Sequence, residues 1–152
     1  CDDNFLQRIQ YPPTIEMIEH ARRLKEAIVK EDLFDQGKRA LLNFGHTVGH
    51  ALEVVHNFSI SHGEAVQHGI KVEMELLKAS SDFIQKVAHK LPFDKKIPSI
   101  SPDSFRLALK KDKKNLGEKI GVCDPFYKEN GGYIRYFTVD EVLDAYQKVS
   151  VL

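Results

Sequence analysis

The chain has only two cysteines, Cys1 and Cys123. They are too few for a disulfide framework and suit a reducing cytoplasm. It also lacks an excess of either charge, since 22 Lys and Arg balance 22 Asp and Glu. No basic stripe suggests a nucleic-acid partner, so an anionic substrate would have to be met by local charges. No apolar run approaches the roughly 20 residues that span a bilayer, and no signal peptide is visible, so no membrane partner is expected. Repeats, low-complexity tracts and interdomain linkers are missing too. With 152 residues, the chain is expected to form a single domain over 1–152 with a real core. No strand–helix alternation and no glycine-rich turn after a strand offers a dinucleotide site. The first residue is Cys rather than Met, for which a fragment or excised domain is the simplest reading.

What the chain does contain is concentrated between Arg39 and His62. Read as a helix, this stretch separates into two faces. Leu41, Phe44, Val48, Ala51 or Leu52, and Val55 recur at core-facing spacing. Arg39, Asn43, His46, His50, Glu53 and Asn57 fall within about 80° of arc on another face. Gly45 and Gly49 border that face, where a missing side chain lets a ligand or another backbone approach. A solvated face carries Lys–Glu pairs. A guanidinium, two amides, two imidazoles and a carboxylate instead mark a site. His46 and His50 have the i, i+4 spacing that presents two imidazoles to one metal, a weak signal alone. His62, in His-Gly-Glu-Ala after a polar turn, strengthens it, because it begins a new helix facing back toward the first.

The flanks read as short helices. Residues 2–10 form one, and Thr14 caps another with Ile15, Ile18, Ala21, Leu24 and Ile28 on its apolar face. Lys25 lies on or beside that face, where a lysine snorkelling from the core edge is the plain alternative. Asp35-Gln36-Gly37 turns into the central stretch. Val66, Ile70, Met74 and Leu77 form the stripe after His62, with His68 partly exposed. Ser80-Ser81-Asp82 starts a helix through Lys90 that Leu91-Pro92 ends, and residues 95–101 form a loop. Ser101-Pro102 opens a helix through about Lys110. Runs 120–123 and 133–137 pair as a hairpin around Asn130-Gly131-Gly132. Thr138 and Glu141 form a capping box for a last helix carrying Val142, Leu143 and Tyr146.

The segment Leu42-Asn43-Phe44-Gly45-His46-Thr47-Val48-Gly49-His50-Ala51-Leu52-Glu53, with Ser61-His62-Gly63-Glu64-Ala65-Val66, resembles the signature of 3-dehydroquinate synthases and related sugar-phosphate cyclases. Leu24 to Asp32 resembles the family's lysine-containing helix, and Lys111 to Gly117 its Asp-Lys-Lys segment. The resemblance implies a mainly α, multi-helix C-terminal domain with a small β-hairpin near its end. It implies that His46 and His62 ligate a catalytic divalent metal, zinc or cobalt. The third ligand would be a glutamate just before Cys1, and an open position would polarise substrate hydroxyls. His50 and Lys114, preferred over Lys113, would meet phosphate; Asn43 would bond nearby, Lys25 would bind substrate, and Arg39 would fork onto a carboxylate.

By the same resemblance, the full-length enzyme would be a cytoplasmic lyase of the shikimate pathway and a homodimer. It would convert a seven-carbon keto-acid phosphate to 3-dehydroquinate with loss of phosphate, using NAD held by an N-terminal domain absent here. The chain alone would be inactive. Arg39 favours that reaction over a sister cyclase of the 2-deoxy-scyllo-inosose or valiolone type. Metal-dependent alcohol dehydrogenases are more distant, and a non-catalytic helical metal-binding module is the alternative of another class. The loop Asp124-Pro125-Phe126-Tyr127 is bulkier than the family leads one to expect and has no functional account.

Overall fold

The computed structural model describes residues 3–10, 12–35, 37–88, 90–91, 96–126 and 133–150. In order they form α1 (Asp3–Arg8), α2 (Ile15–Glu31), a 3₁₀ segment (Lys38–Asn43), α3 (His46–Val55) and α4 (His62–Leu76). Then come α5 (Ser81–Ala88), α6 (Pro102–Leu109), β1 (Ile120–Cys123), β2 (Ile134–Phe137) and α7 (Val139–Ser150). The strands pair antiparallel, with Ile120 opposite Phe137 and Cys123 opposite Ile134. A mainly helical chain with a small C-terminal hairpin is what the sequence predicts. Cys1, Asp2, Gln36, residues 92–95, Tyr127 and the expected hairpin turn 130–132 lie outside the described residues.

Local chemistry sets most helix starts. The Thr14 hydroxyl accepts from the Met17 N–H at 3.3 Å, and Ser61 accepts from Glu64 N–H at 3.4 Å. Ser101 precedes Pro102 and accepts from Ser104 N–H at 3.5 Å. At α7, Thr138 and Glu141 exchange bonds reciprocally, 2.7 Å from the Thr138 N–H and 3.2 Å from the Glu141 N–H. Each cap satisfies an otherwise orphaned donor and contributes about 1 kcal/mol.

The core lies where α3, α4, α6, α7 and β1 meet. Val48, Leu52, Val72, Phe105, Leu109, Val122 and Val142 are fully enclosed there. Three expectations need correction. The stretch from Arg39 is not one helix, because residues 38–43 wind as 3₁₀ and α3 starts only at His46. Gly45 separates them in the left-handed region, at φ 82°. The apolar side of α2 does not enter this core: Ile15 is 77% exposed, Ile18 is 56% exposed, and no residue of the helix is buried. The core closes on α3, α4, α6 and α7 without it. His68, expected to be partly exposed, is 3% exposed. It lies on the side of α4 that meets the other helices, with Ala65 and Val72.

α3 and α4 cross closely. A Cβ on Gly69 would overlap the carbonyl oxygen of Gly45, and one on Gly49 would sit 3.1 Å from the Val66 Cα. The space left by Gly45 and Gly49 is therefore filled by the α4 backbone and not by a ligand. At this crossing Glu73 is wholly buried, and its carboxylate accepts from Gly45 N–H at 2.6 Å and Val48 N–H at 3.3 Å. These are orphan donors of the first turn of α3, so Glu73 caps that helix from across the interface.

Burial is the largest influence on Glu73 and pushes its carboxyl from 4.5 up to about 8, against the opposing Gly45, Val48 and Thr47 amides and the Lys114 charge. A carboxyl raised on folding adds stability in full below about 4.5, and that contribution is lost as pH rises through about 8. Glu73→Gln should therefore remove a decline in stability across this window. Glu73→Ala strands two buried N–H groups and should cost about 2–4 kcal/mol at pH 5. Urea unfolding of the three proteins as a function of pH checks both, and identical profiles would show that the clamp contributes nothing.

Candidate metal and anion site

His46 and His50 project from the first turns of α3, and His62 is the first residue of α4. The chain reverses between them through Asn57 and Phe58, both left-handed at φ 49° and 58°. Phe58 N–H closes the end of α3 by bonding the Glu53 carbonyl at 2.7 Å. This reversal returns His62 to the helix it left. The ring centroids of His46 and His50 lie 5.4 Å apart, His46 and His62 5.4 Å, and His50 and His62 5.9 Å.

Two rings have one nitrogen already engaged. His46 Nδ1 is 3.3 Å from the Phe44 carbonyl oxygen, and His62 Nδ1 is 3.2 and 3.3 Å from the two Glu53 carboxylate oxygens. In each, Nε2 remains the nitrogen for a further partner. His46 binds a proton less readily than an ordinary imidazole, chiefly because it is partly buried and then because His50, His62 and Lys114 add positive charge. The neutral form is the one that ligates a metal. Among the described residues, donors of His50, Glu53 and His62 lie within 4.8 Å of one another. The His46 ring stands beside this trio. Imidazoles with a carboxylate form a nitrogen and oxygen set suited to zinc or cobalt, so the residues present fit such an ion.

On the other side of His50 opens a cleft of about 540 Å³. It is lined by Asn43, Thr47 and His50, and across from them by Lys111, Lys113 and Lys114 with Asp35 and Asp112. The lysine turn is held in place. Asn115 donates from its side chain to the Leu109 carbonyl at 2.9 Å and accepts from Gly121 N–H at 3.1 Å. Thr47 Oγ1 donates to the Gly121 carbonyl at 3.0 Å, tying α3 to the same strand. Lys114 is half-buried and its ammonium lies 2.7 Å from Asp112, whereas Lys113 is exposed.

The structure thus brings Asn43, His50 and Lys114 to one cleft and gathers His46, His50 and His62 at its edge. Arg39 and Lys25 are not in the cleft lining. Arg39 is half-buried and donates to the Leu33 carbonyl at 3.3 Å, and Lys25 is exposed on α2. Sequence reasoning missed Glu73, Thr47 and Asp112 as positioning groups. Glu73 had a usable signal: it stands three after Ile70 and four before Leu77, on the apolar stripe, where a lone carboxylate needs a buried partner.

Residues 2–115 match the 3-dehydroquinate synthase C-terminal family. The chain is 36% identical over 134 residues to the 3-dehydroquinate synthase of Clostridium perfringens, covering 82% of this chain and 38% of that protein. It is 37% identical over 114 residues to the 3-dehydroquinate synthase of Pyrococcus furiosus, covering 72% and 34%. The chain therefore spans under two-fifths of the length of these relatives. Among solved structures it resembles 2-deoxy-scyllo-inosose synthase complexed with carbaglucose-6-phosphate, NAD+ and Co2+. That likeness has a TM-score of 0.65 at 19% identity, covers 88% of this chain and 40% of the other, and concerns the fold.

Proposed function

Because the chain belongs to the 3-dehydroquinate synthase C-terminal family, we propose that it is the metal- and substrate-binding part of a cytoplasmic 3-dehydroquinate synthase. In that reading a seven-carbon keto-acid phosphate loses phosphate and closes to 3-dehydroquinate. The observation that carries the proposal is the histidine cluster at the edge of a lysine-lined cleft. One end of such a site suits a hydroxyl-bearing substrate bound to metal, and the other suits the phosphate.

In this reading His46 and His62 hold zinc or cobalt, with a third ligand from outside the chain. When bound, the ion would polarise substrate hydroxyls. Lys114, Lys113 and His50 offset the growing charge of the departing phosphate, and Asn43 orients it by hydrogen bonding. Asp112 holds the Lys114 ammonium ready on the cleft wall. Arg39 and Lys25 are assigned to the substrate, which requires the Arg39 guanidinium to leave the Leu33 carbonyl. NAD does not fit the described residues, whose sheet is two antiparallel strands without a βαβ unit. We assign NAD to an N-terminal domain, with full-length protomers forming a homodimer. Exposed Ile15, Ile18, Leu33 and Phe34 support further chain packing on α2. Among the described residues no helix is long and apolar enough to cross a membrane.

A second reading has its own support. Arg39 bonds backbone and is outside the cleft lining, which favours a sister cyclase whose substrate lacks a carboxylate, such as a 2-deoxy-scyllo-inosose synthase. Kinetics of the full-length enzyme and its Arg39→Lys variant separate the two, because the variant keeps the charge and removes the fork. Loss of this charged hydrogen bond should cost about 1.5–3 kcal/mol, or roughly ten- to a hundredfold in kcat/KM. Unchanged kinetics with the keto-acid phosphate would make Arg39 structural, and absence of turnover of that substrate by the unsubstituted enzyme would favour the sister cyclase.

The ligand assignment has a direct test in zinc titration calorimetry of this chain. Binding should be weak, disappear in His46→Ala and His62→Ala, and survive in His50→Ala. Loss in His50→Ala with retention in His46→Ala would move the metal to His50, Glu53 and His62. A phosphate-release assay tests the division of labour. The purified chain with added NAD and zinc should give no turnover, and mixing with a separately expressed N-terminal half should give some. Multiple turnovers by this chain alone would overturn the proposal.

A further inference from the structure

Glu53 closes the segment that carries the family resemblance but has no assigned role there or in the proposed chemistry, yet both of its oxygens contact a ring of the histidine cluster. It lies seven residues after His46 on α3, two turns along the same side, with its side chain 13% exposed. Both of its oxygens are within hydrogen-bond reach of His62 Nδ1, at 3.2 and 3.3 Å. His62 itself is 56% exposed and is the first residue of its helix, so little else fixes its ring. A neutral imidazole carries its proton on either nitrogen, and the partner of one nitrogen decides which is left to ligate. A carboxylate can only accept, so it selects the Nδ1–H form and frees Nε2.

We propose that Glu53 is a positioning residue that holds His62 in the Nδ1–H tautomer and aims its Nε2 at the metal. The inference rests on the reading of His62 as a ligand. Glu53 is anchored in the helix that carries His46, so the contact also fixes one ligand ring relative to the other. His46 has an equivalent orienting partner in the Phe44 carbonyl. Among the described residues, His50 has none. The two histidines assigned to metal are thus the two whose Nδ1 is occupied. Carboxylate–histidine–metal arrangements of this kind raise ligand basicity, and their loss lowers metal affinity about 10–100-fold.

A competing arrangement uses Glu53 as a ligand, since its oxygen lies within the 4.8 Å trio with His50 and His62. That would require the ion to displace the Glu53–His62 bond. Histidine ¹⁵N spectra of the metal-free protein, with zinc affinity measured against a chromophoric chelator, separate the possibilities. Wild-type His62 should show the Nδ1–H pattern. Glu53→Ala should convert it to a tautomer mixture and weaken zinc binding about 10–100-fold, less than the complete loss in His62→Ala. Glu53→Gln keeps an acceptor oxygen, guards against misfolding of the alanine variant, and should fall between wild type and Glu53→Ala on both readouts. An unchanged tautomer in both variants overturns the inference while leaving His62 as a ligand. Zinc loss in Glu53→Gln as complete as in His62→Ala also overturns it, by making Glu53 a ligand. If His62→Ala leaves zinc affinity intact, the ligand reading fails first and this inference with it.

Discussion

The Glu73 carboxylate is enclosed between α3 and α4, and the beginning of α3 is built on it. Gly45 and Val48 direct their N–H groups at its two oxygens. An uncapped helix start inside a core would leave such donors unpaired, at a cost larger than most single packing contacts. Because the acceptor comes from α4, one interaction both starts α3 and fixes it against its neighbour. The glycines at 45, 49 and 69 let the two backbones come close enough for that reach. His46 begins α3 and His62 begins α4, so their ring separation of 5.4 Å follows from this crossing.

A second brace positions the positive side of the cleft. Thr47, directly after His46, bonds the Gly121 carbonyl, and Gly121 bonds Asn115, which in turn closes the end of α6. The lysine turn lies between these fixed points. Gly121 has no room for a side chain because the Lys114 carbonyl would be 2.5 Å from a Cβ. The hairpin thus serves as a shelf that sets Lys114 opposite α3. The loop at Asp124, which had no account in sequence, also joins this scaffold. Buried Asp124 accepts from Phe126 N–H at 2.8 Å and from Arg135 at 3.1 Å. Phe126 packs edge-on against Phe83, and Phe83 against Phe44, next to Gly45.

What could be read in the sequence was what local chemistry decides. Thr14, Ser101-Pro102 and the Thr138–Glu141 box mark helix starts because their side chains bond donors only three residues away. The α4 stripe was readable from its period, and the hairpin from two apolar runs flanking Asn130-Gly131-Gly132. Long-range facts were not. The break at Gly45 leaves apolar spacing in phase on both sides, so periodicity cannot distinguish one helix from a 3₁₀ segment and a helix. Burial of His68 and Glu73 depends on which helices close over α4. The grouping of three histidines was legible only because a short polar turn separates the helices that carry them.

The residues expected at the site but missing from the cleft share a cause with the apolar face of α2 that is missing from the core. Lys25 lies on α2, and Arg39 follows the turn that leaves it. The exposed side chains of Ile15, Ile18, Leu33 and Phe34 belong to this same segment. Burying each such side chain would contribute about 1.5–3 kcal/mol, so α2 lacks the packing energy that fixes α3 and α4. The backbone of the turn is nevertheless defined. Asp32 accepts from Gly37 N–H at 2.9 Å and from Arg39 N–H at 3.0 Å, so Arg39 needs only side-chain rotation to release Leu33. Exchanging one neutral carbonyl for a bidentate carboxylate replaces a single bond with two charge-assisted ones. A carboxylate ligand could therefore draw the guanidinium over without disturbing the Asp32 anchor, whereas a phosphate-only ligand at the lysines gives it no reason to move.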